Sequence, residues 1–492
     1  MSTASPAGNL QVAAVTFETT SEVGATTRWG IPVAEVFGAL QTTLLLLADG
    51  PTRLCFIATA CFADGFPYSN LVRRRLGAIL DLPREQIVLF STHNHSTVLV
   101  AGMAQFAGRM PQPDAVLPES ELTDFGRRLL GQMKDAARTL APRLVPVTVA
   151  WALGRERRIS YNRKGRRADG STYLMRDEER VLLGADFNGD IDDEAPVVAF
   201  LGANGRPVCF FVQFTAHPLA SFHPEHPVVF GDYCQVACDD LSAAHGGVPV
   251  LFLQGCAGES NTKLFLLKIP AAERVANAVR FGRLLGETYI AASRDLQPSP
   301  RSDLAFAWRD VFLPFTGVPS ERRLRADLVV IEDYLRRVAA GDENLLTCLG
   351  INAARSMSLA YRMKVVEPYR RWIGWALRFH TENRLGQSPR GVPATVGAFR
   401  IGEIGLVGLP CEPLLGLGRQ IRAGSRLPLT IPVGYMNDNI GYVPDGPNVG
   451  DTEFSSAFYR YTAEFLPYRK PAGDLLARAG LQALRQIGRR SA

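Results

Sequence analysis

The chain has 492 residues, of which 47% are hydrophobic and 21% charged, and a formal net charge of +6. This composition is typical of a globular protein with a sizeable core, and it excludes an intrinsically disordered chain. The basic residues are scattered, which indicates solvated faces and not a nucleic-acid-binding track, and no apolar stretch is long enough to cross a membrane.

Strands and helices alternate along the predicted chain. Apolar runs predict strands at the start of 10–25 and at 53–61, 87–90, 145–152, 197–201, 208–214, 248–253, 398–401 and 404–409. Helical periodicity predicts helices at 31–49, 68–80, 119–141, 233–244, 271–294, 414–423 and 471–488, with Ser120 as the cap of the third. Turn sequences at 202–205 and 402–403 predict two hairpins.

These elements predict an α/β fold with a mixed, mostly buried β-sheet core and flanking helices. Residues 319–386 are rich in helix formers and charge pairs, which indicates a helical insertion that covers the site. The eight cysteines lie mostly in apolar contexts without a Cys-x-x-Cys pair, as is typical of free thiols in a reducing compartment. The first ten residues carry no secretory signal, so we expect a cytoplasmic protein.

Three predicted strands end at potential metal ligands. His93 follows the strand at 87–90, His217 follows the strand at 208–214, and Glu412 follows the strand at 404–409. Catalytic and binding groups of α/β folds gather at the carboxyl ends of strands. Two imidazoles and one carboxylate are a set that catalytic zinc takes as ligands. The sequence therefore predicts a metal-dependent hydrolase.

Other residues near these strand ends are candidates for catalysis. In a strand-like segment alternate residues face the same side, so His95 is expected beside His93, where it would donate to an oxyanion or carry a proton. Arg163, in an arginine-rich loop, suits a polar or anionic substrate group, and the alternative is a solvated loop arginine. Ser260 follows the strand at 248–253 and would bind the scissile group or act as nucleophile, although no Gly-x-Ser-x-Gly elbow surrounds it. The segment 223–227 contains two histidines, but its prolines and its spacing favour a loop near the mouth of the site.

Six motifs in order resemble those of the neutral (non-lysosomal) ceramidase superfamily, in its amino-terminal catalytic domain, over roughly residues 10–485. They are Thr92-His93-Asn94-His95-Ser96, Asn162-Arg163, His217 with Gly231-Asp232, Gly258-Glu259-Ser260-Asn261, Pro410-Cys411-Glu412-Pro413, and Asn439-Ile440-Gly441-Tyr442-Val443-Pro444. The fourth departs from the family's Gly-Asp-x-Ser-Pro-Asn because it has Glu259 and lacks the proline.

The resemblance implies a set of zinc ligands and a set of substrate contacts. The implied Zn²⁺ ligands are His93, His217, Glu412 and Tyr442. The implied contacts to substrate or oxyanion are His95, Arg163 and a downstream tyrosine, for which Tyr459 and Tyr461 compete. Residues 1–492 would form a single catalytic domain without the carboxy-terminal immunoglobulin-like domain of longer ceramidases.

The sequence thus predicts a zinc-dependent hydrolase that cleaves an N-acyl amide bond with metal-activated water. The substrate would be a ceramide-like lipid amide or a smaller acylated metabolite, without a nucleic-acid partner. An acyltransferase or an ester or lactone hydrolase on the same metal site is one alternative, and a non-catalytic homologue that binds a small molecule is another. Ligands of these types also accept iron, manganese or nickel.

Overall fold

Long apolar runs form three mixed β-sheets in this computed structural model, which describes residues 9–62, 65–102, 110–264, 269–462 and 464–489. In spatial order, the first sheet contains Ile87–Ser91, Thr52–Thr59, Leu40–Asp49, Leu10–Thr19 and Val145–Pro146. The second contains Val250–Gln254, Pro207–Phe214, Glu194–Leu201, Thr148–Arg155 and Gln297–Pro298. The third contains Leu304–Pro314, Gly391–Ile401, Ile404–Gly408 and Leu429–Val433.

Short two-stranded pairs connect the loops around these sheets. They are Lys164–Arg166 with Thr172–Leu174, Glu35–Val36 with Val228–Val229, Ser160–Asn162 with Ser260–Thr262, Thr347–Cys348 with Ile351–Asn352, and Glu412–Pro413 with Tyr442–Val443. Two of these pairs hold predicted site residues in register, since Glu412 lies opposite Tyr442 and Ser260 opposite Asn162.

Helices cover one face of each sheet. Phe66–Leu80 and Asp124–Leu140 pack on the first sheet, and Asp232–Ala244 and Ala271–Ala292 on the second. The helices Leu415–Gly424 and Asp474–Arg489 pack on the third, and Glu321–Ala339 and Leu359–Thr381 pack on each other in the same core cluster. A short helix, Asp177–Arg180, lies in the loop before the second sheet's long hairpin.

The opposite faces of the three sheets share one buried core. Phe56 of the first sheet, Phe211 of the second and Phe399 of the third belong to the same cluster. The rings of Phe56 and Phe399 pack edge to face, with centroids 5.3 Å apart. Because both faces of each sheet are buried, the central strands are continuous apolar runs. The α/β fold with a mostly buried mixed sheet core and flanking helices is therefore confirmed.

Each sheet repeats one connection that brings strand ends together. A hairpin is followed by a helix and then by a strand parallel to the hairpin's second strand, as in Thr52–Thr59 with Ile87–Ser91. Pro207–Phe214 with Val250–Gln254, and Ile404–Gly408 with Leu429–Val433, have the same relation. Parallel strands end at the same sheet edge. His93, His217 and Glu412 each follow a strand of such a parallel pair.

The prediction of a helix at 31–49 is wrong, because residues Leu40–Asp49 form a central strand. Leu44 and Leu46 pack towards the helices, whereas Leu45 and Leu47 pack into the shared core. Burial on both faces removes the apolar–polar alternation that would have distinguished a strand from a helix. The helix predicted at 119–141 begins only at Asp124, with Thr123 as its cap.

The predicted insertion at 319–386 contains the two long helices Glu321–Ala339 and Leu359–Thr381. Its status as an insertion, and the single catalytic domain, stay predictions. Within the described ranges, no helix combines the length and apolar character that crossing a membrane requires.

Candidate metal centre

His93 lies on a tight turn directly after the strand Ile87–Ser91. Its φ of 61° is in the left-handed region, which non-glycine residues seldom adopt. The backbone N–H of His93 donates to Oγ of Ser91 at 3.1 Å, and that hydroxyl donates to the carbonyl of Cys61 at 2.6 Å. The imidazole stacks on the ring of Tyr435, with centroids 4.3 Å apart. The turn and this stacking fix the direction of the His93 ring.

His217 is held by the loop that precedes Ser260. Its backbone N–H donates to the carbonyl of Ser260 at 2.8 Å, and its Nδ1 lies 2.7 Å from the carbonyl of Ala257. A carbonyl oxygen only accepts hydrogen bonds, so Nδ1 carries the proton. In the neutral ring, Nε2 is then left with a free lone pair.

Glu412 joins the two histidines. Its Oε2 lies 3.1 Å from Nε2 of His93 and 3.1 Å from Nε2 of His217. The parallel pairing of Glu412 with Tyr442 also places the Tyr442 hydroxyl 3.1 Å from Nε2 of His217. The structure therefore brings all four predicted ligands to one point.

The protonation of this group fits a bound cation. Burial, with Arg163 nearby, lowers the pKa of His217 to about 4, so its ring is neutral at pH 7. Burial opposes ionisation of Glu412, but the adjacent His93 and His217 hold the pKa of this carboxyl well below its usual range. With Nδ1 of His217 donating to Ala257, Nε2 of His217 and Oε2 of Glu412 are two acceptors at 3.1 Å, and a cation or a proton between them removes their repulsion.

His95 is a third histidine beside this group. Nitrogens of His93, His95 and His217 lie within 4.8 Å of one another, so this buried cluster could hold a metal. Neither ring nitrogen of His95 has a hydrogen-bond partner within the described part of the chain. Burial, followed by the nearby His93 and Arg28, lowers the pKa of His95 well below its usual range. A neutral imidazole that has one N–H and one lone pair, neither of them hydrogen-bonded, is suited to proton transfer.

The expected proximity of His95 to His93 is found, with ring centroids 5.0 Å apart. The reason given for it is wrong, however, because the strand ends at Ser91 and His93 is left-handed. A turn, and not strand alternation, brings the two rings together.

Arg163 is buried and holds Tyr442 in place. Its Nη2 donates to the Tyr442 hydroxyl at 2.8 Å and to the carbonyl of Gly258 at 2.6 Å, and its Nη1 donates to Oδ1 of Asn261 at 3.1 Å. A guanidinium that donates to a phenolic oxygen favours the phenolate. Burial raises the pKa of Tyr442 and Arg163 opposes this shift, so Arg163 is not a solvated loop arginine.

Of the two competing tyrosines, only Tyr461 lines the cavity beside His93 and Glu412. Its buried hydroxyl has no hydrogen-bond partner among the described residues. Tyr459 lines a separate cavity of about 330 Å³ and packs its ring on Trp372, with centroids 5.0 Å apart. The geometry therefore separates two residues that the sequence left equivalent.

Two other candidates point away from the cluster. The Ser260 hydroxyl donates to the carbonyl of Thr215 at 3.0 Å, and Ser260 instead contributes its own carbonyl to His217. In the segment 223–227, Nε2 of His226 lies 2.8 Å from the exposed carboxylate of Glu35. This segment is separate from the ring cluster.

The cluster opens into a cavity of about 450 Å³, a volume typical of small-molecule sites. The site residues predicted from the sequence that line this cavity are His93, His95, Arg163, Glu412, Tyr442 and Tyr461. Apolar lining comprises Trp29, Leu174, Leu219, Phe222, Ile351, Met357, Val365, Pro368, Phe454 and Phe458. The remaining lining residues are Arg28, Arg176, Tyr361, Lys364 and Arg371.

Most of the residues that the sequence analysis missed come from separate segments with no motif. One signal was available, since Tyr361, Lys364, Val365 and Pro368 are spaced three and four apart and share one face of the helix Leu359–Thr381. The spacing alone does not tell which face lies over the site. The expectation that the 319–386 region covers the site agrees with this lining.

Glu259, the residue that departs from the ceramidase motif, is buried beside the centre. Its Oε2 has no hydrogen-bond partner among the described residues. Burial raises the pKa of Glu259 to about 8; Lys164 opposes this shift, and Asp445 and Glu453 add to it. The side chain is therefore a neutral acid at pH 7.

We expect Glu259→Gln to remove a pH dependence of stability. In the unfolded chain the carboxyl has its ordinary pKa of 4.5, so between pH 4.5 and about 8 the folded state binds more protons and stability falls as pH rises. The amide mimics the neutral acid. At pH 8 the variant should exceed the parent in unfolding free energy by about 4 kcal/mol, and at pH 4 the two should agree. Urea unfolding at several pH values measures the unfolding free energy, with the exposed Glu343→Gln as control. The same dependence of the unfolding free energy on pH in the parent and in Glu259→Gln would contradict the prediction.

Comparison with known proteins shows which solved structures share this fold. No model of a protein family matches the chain, and no curated protein matches it in sequence. The solved neutral ceramidase of Pseudomonas aeruginosa superposes with a TM-score of 0.60 at 16% identity, covering 98% of this chain and 75% of that one. A structure of ceramidase complexed with C2 gives a TM-score of 0.61 at 14% identity, covering 98% and 76%. The chain has a neutral ceramidase-like fold, which confirms the resemblance at the level of the fold.

Proposed function

We propose that this protein is a metal-dependent amidohydrolase that cleaves an N-acyl amide bond, with zinc as the preferred metal. The observation that carries the proposal is the facing pair of acceptors, Nε2 of His217 and Oε2 of Glu412, at 3.1 Å, of which Glu412 lines a ligand-sized cavity. The ceramidase-like fold supports an amide as the bond that is cleaved.

His93, His217 and Glu412 would hold the metal, with Tyr442 as a fourth ligand. This set matches the nitrogen and oxygen donors that catalytic zinc prefers. When bound, zinc supplies a water whose pKa falls to about 7 and an electrophile for a carbonyl oxygen. Arg163 keeps the Tyr442 oxygen directed at the group through its 2.8 Å hydrogen bond.

Two residues with available polar atoms would act on the substrate. The Tyr461 hydroxyl donates to the oxygen of the scissile carbonyl as negative charge develops on it. His95, neutral and without partners for either nitrogen among the described residues, accepts a proton on the attacking side and returns it to the leaving amine. Both residues are largely shielded from water. Hydrogen bonds to a developing charge are strongest in such a water-excluded site.

The apolar wall would bind the acyl part of the substrate. Trp29 and Phe222 pack together, with ring centroids 5.8 Å apart, and the His95 ring lies beside both. Burial of methylene groups against such a wall contributes roughly 0.8 kcal/mol for each group. A ceramide-like lipid amide or a smaller acylated metabolite both satisfy this description.

The test is release of a primary amine from N-acyl amides of increasing chain length by zinc-loaded protein. We expect turnover by the parent protein and none by His217→Ala. Esters and lactones of the same acyl groups serve as comparison substrates, because they differ only in the bond that is cleaved. Failure to release amine from any amide, or equal release by His217→Ala, would overturn the proposal.

A further inference from the structure

The charges that line the cavity are strongly unbalanced. The cationic side chains of the described lining are Arg28, Arg163, Arg176, Lys364 and Arg371, whereas Glu412 is the single carboxylate there. A bound divalent metal would add further positive charge. Apolar walls around charges of one sign focus their field and concentrate ligands of the opposite sign.

Two of these cations lie on one face of the helix Leu359–Thr381. Lys364 and Arg371 are seven residues apart, and Pro368 between them also lines the cavity. Both charged side chains are exposed, so they lie at the solvent end of the cavity. The opposite side of the helix, which includes Ile373, packs in the core around the third sheet. The helix is therefore anchored by its apolar side and presents charge to the opening.

Neither cation of this pair forms an ion pair with an acid in the described part of the chain. Within the described ranges Arg371 makes no ion pair or hydrogen bond; Glu367, one turn earlier, pairs with Arg370 at 2.7 Å and attracts Arg371 only at longer range. Lys364 uses one proton of its ammonium on the carbonyl of Trp29 at 3.0 Å. An ammonium has three donors and a guanidinium five, so most of these donors remain available to a ligand.

We propose, on the basis of the hydrolase function above, that the substrate is an N-acyl amide carrying an oxyanion, which Lys364 and Arg371 bind at the cavity mouth. A carboxylate or a phosphate monoester has the acceptor geometry that ammonium and guanidinium groups recognise. The scissile amide then lies at the His93–His217–Glu412 cluster, and the part of the substrate between the amide and the oxyanion lies along the apolar wall. A neutral amide of the same size leaves both cations without a partner.

The test uses matched amides that differ only in charge. N-decanoyl-4-aminobutyrate and N-decanoyl-O-phosphoethanolamine carry the anion on the amine side, and the N-butyl monoamide of dodecanedioic acid carries it on the acyl side. The neutral partners are the corresponding primary amides and N-decanoylethanolamine. We compare kcat/KM for each pair in the parent, in Lys364→Gln/Arg371→Gln, and in Arg322→Gln, an exposed arginine outside the lining.

We expect the parent to prefer the anionic member of at least one pair by about tenfold or more, the scale of one or two charge-assisted hydrogen bonds. The double variant should lose this preference, and Arg322→Gln should keep it. The pair with the strongest preference identifies carboxylate or phosphate and the end of the substrate that carries it. Equal kcat/KM for charged and neutral members in every pair, or a preference that survives in the double variant, would overturn the inference while leaving the amidohydrolase intact.

A binding measurement keeps the inference testable if no amide is cleaved. Calorimetric titration of the zinc-loaded protein with the same pairs reports affinity without turnover. Tighter binding of the anionic member by the parent, lost in the double variant, supports the anion site even if the hydrolase proposal has failed. Equal affinities for charged and neutral members would overturn the anion site itself.

Discussion

Glu412→Gln is expected to lower kcat/KM for N-acyl amides by at least about a thousandfold and to abolish tight metal binding. The Glu412 carboxylate would be the central metal ligand, since its Oε2 lies 3.1 Å from Nε2 of both His93 and His217. The amide keeps the size of the side chain but loses its charge and turns a donor towards these nitrogens. Steady-state kinetics and metal analysis of the purified variant measure both effects.

The same substitution is expected to leave the metal-free protein at least as stable as the parent. In the metal-free parent Oε2 of Glu412 faces the lone pair of His217 Nε2, and the amide N–H₂ of the variant replaces this repulsion with a hydrogen bond. The control is Glu35→Gln on the surface, which should keep activity within about twofold because exposed ion pairs contribute little. Activity of Glu412→Gln above about a tenth of the parent value would contradict the assignment of Glu412.

Tyr461→Phe is expected to lower kcat about a hundredfold with little change in KM, because its hydroxyl acts on charge that develops only in the transition state. The buried hydroxyl of Tyr461 has no partner among the described residues, so its removal should not destabilise the fold. Activity lost at unchanged or raised Tm would distinguish a catalytic hydroxyl from a structural one.

Tyr459→Phe is the matched comparison for this prediction. Tyr459 lies two residues away but lines the other cavity, and its hydroxyl accepts from Nε of Arg460 at 3.3 Å. We expect kcat within about threefold of the parent, since the ring that packs on Trp372 is retained. If Tyr459→Phe lost more activity than Tyr461→Phe, the geometric assignment of Tyr461 would be wrong.

The strand-end rule predicted the core of the candidate site. His93, His217 and Glu412 follow strands of three separate sheets, and the repeated parallel pairing brings those ends together. Sequence spacing could not show that a second short pairing, Glu412–Pro413 with Tyr442–Val443, positions Tyr442. That ligand was implied only by the resemblance, because two-residue strands leave no periodic signal.

Local sequence patterns gave wrong predictions where tertiary contacts decide which way a side chain points or which faces of a strand are buried. Ser260 follows its strand as predicted, but the nearby Thr215 carbonyl draws its hydroxyl away from the cavity. The Leu44–Leu47 run was interpreted as a helix because a strand buried on both faces has no alternation. Lys364 and Arg371 looked like ordinary solvated helix charges, and only the packing of their helix shows that they border the cavity.

Metal content is the most direct test of the central claim. Elemental analysis compares the parent, purified without chelators, with His217→Ala, in which the Nε2 donor is removed and Glu412 loses one of its two imidazole neighbours. The metal-centre account predicts about one zinc or similar first-row ion per chain in the parent and none in the variant. A parent that neither contains a metal nor takes up added zinc, or an equal metal content in His217→Ala, would contradict it.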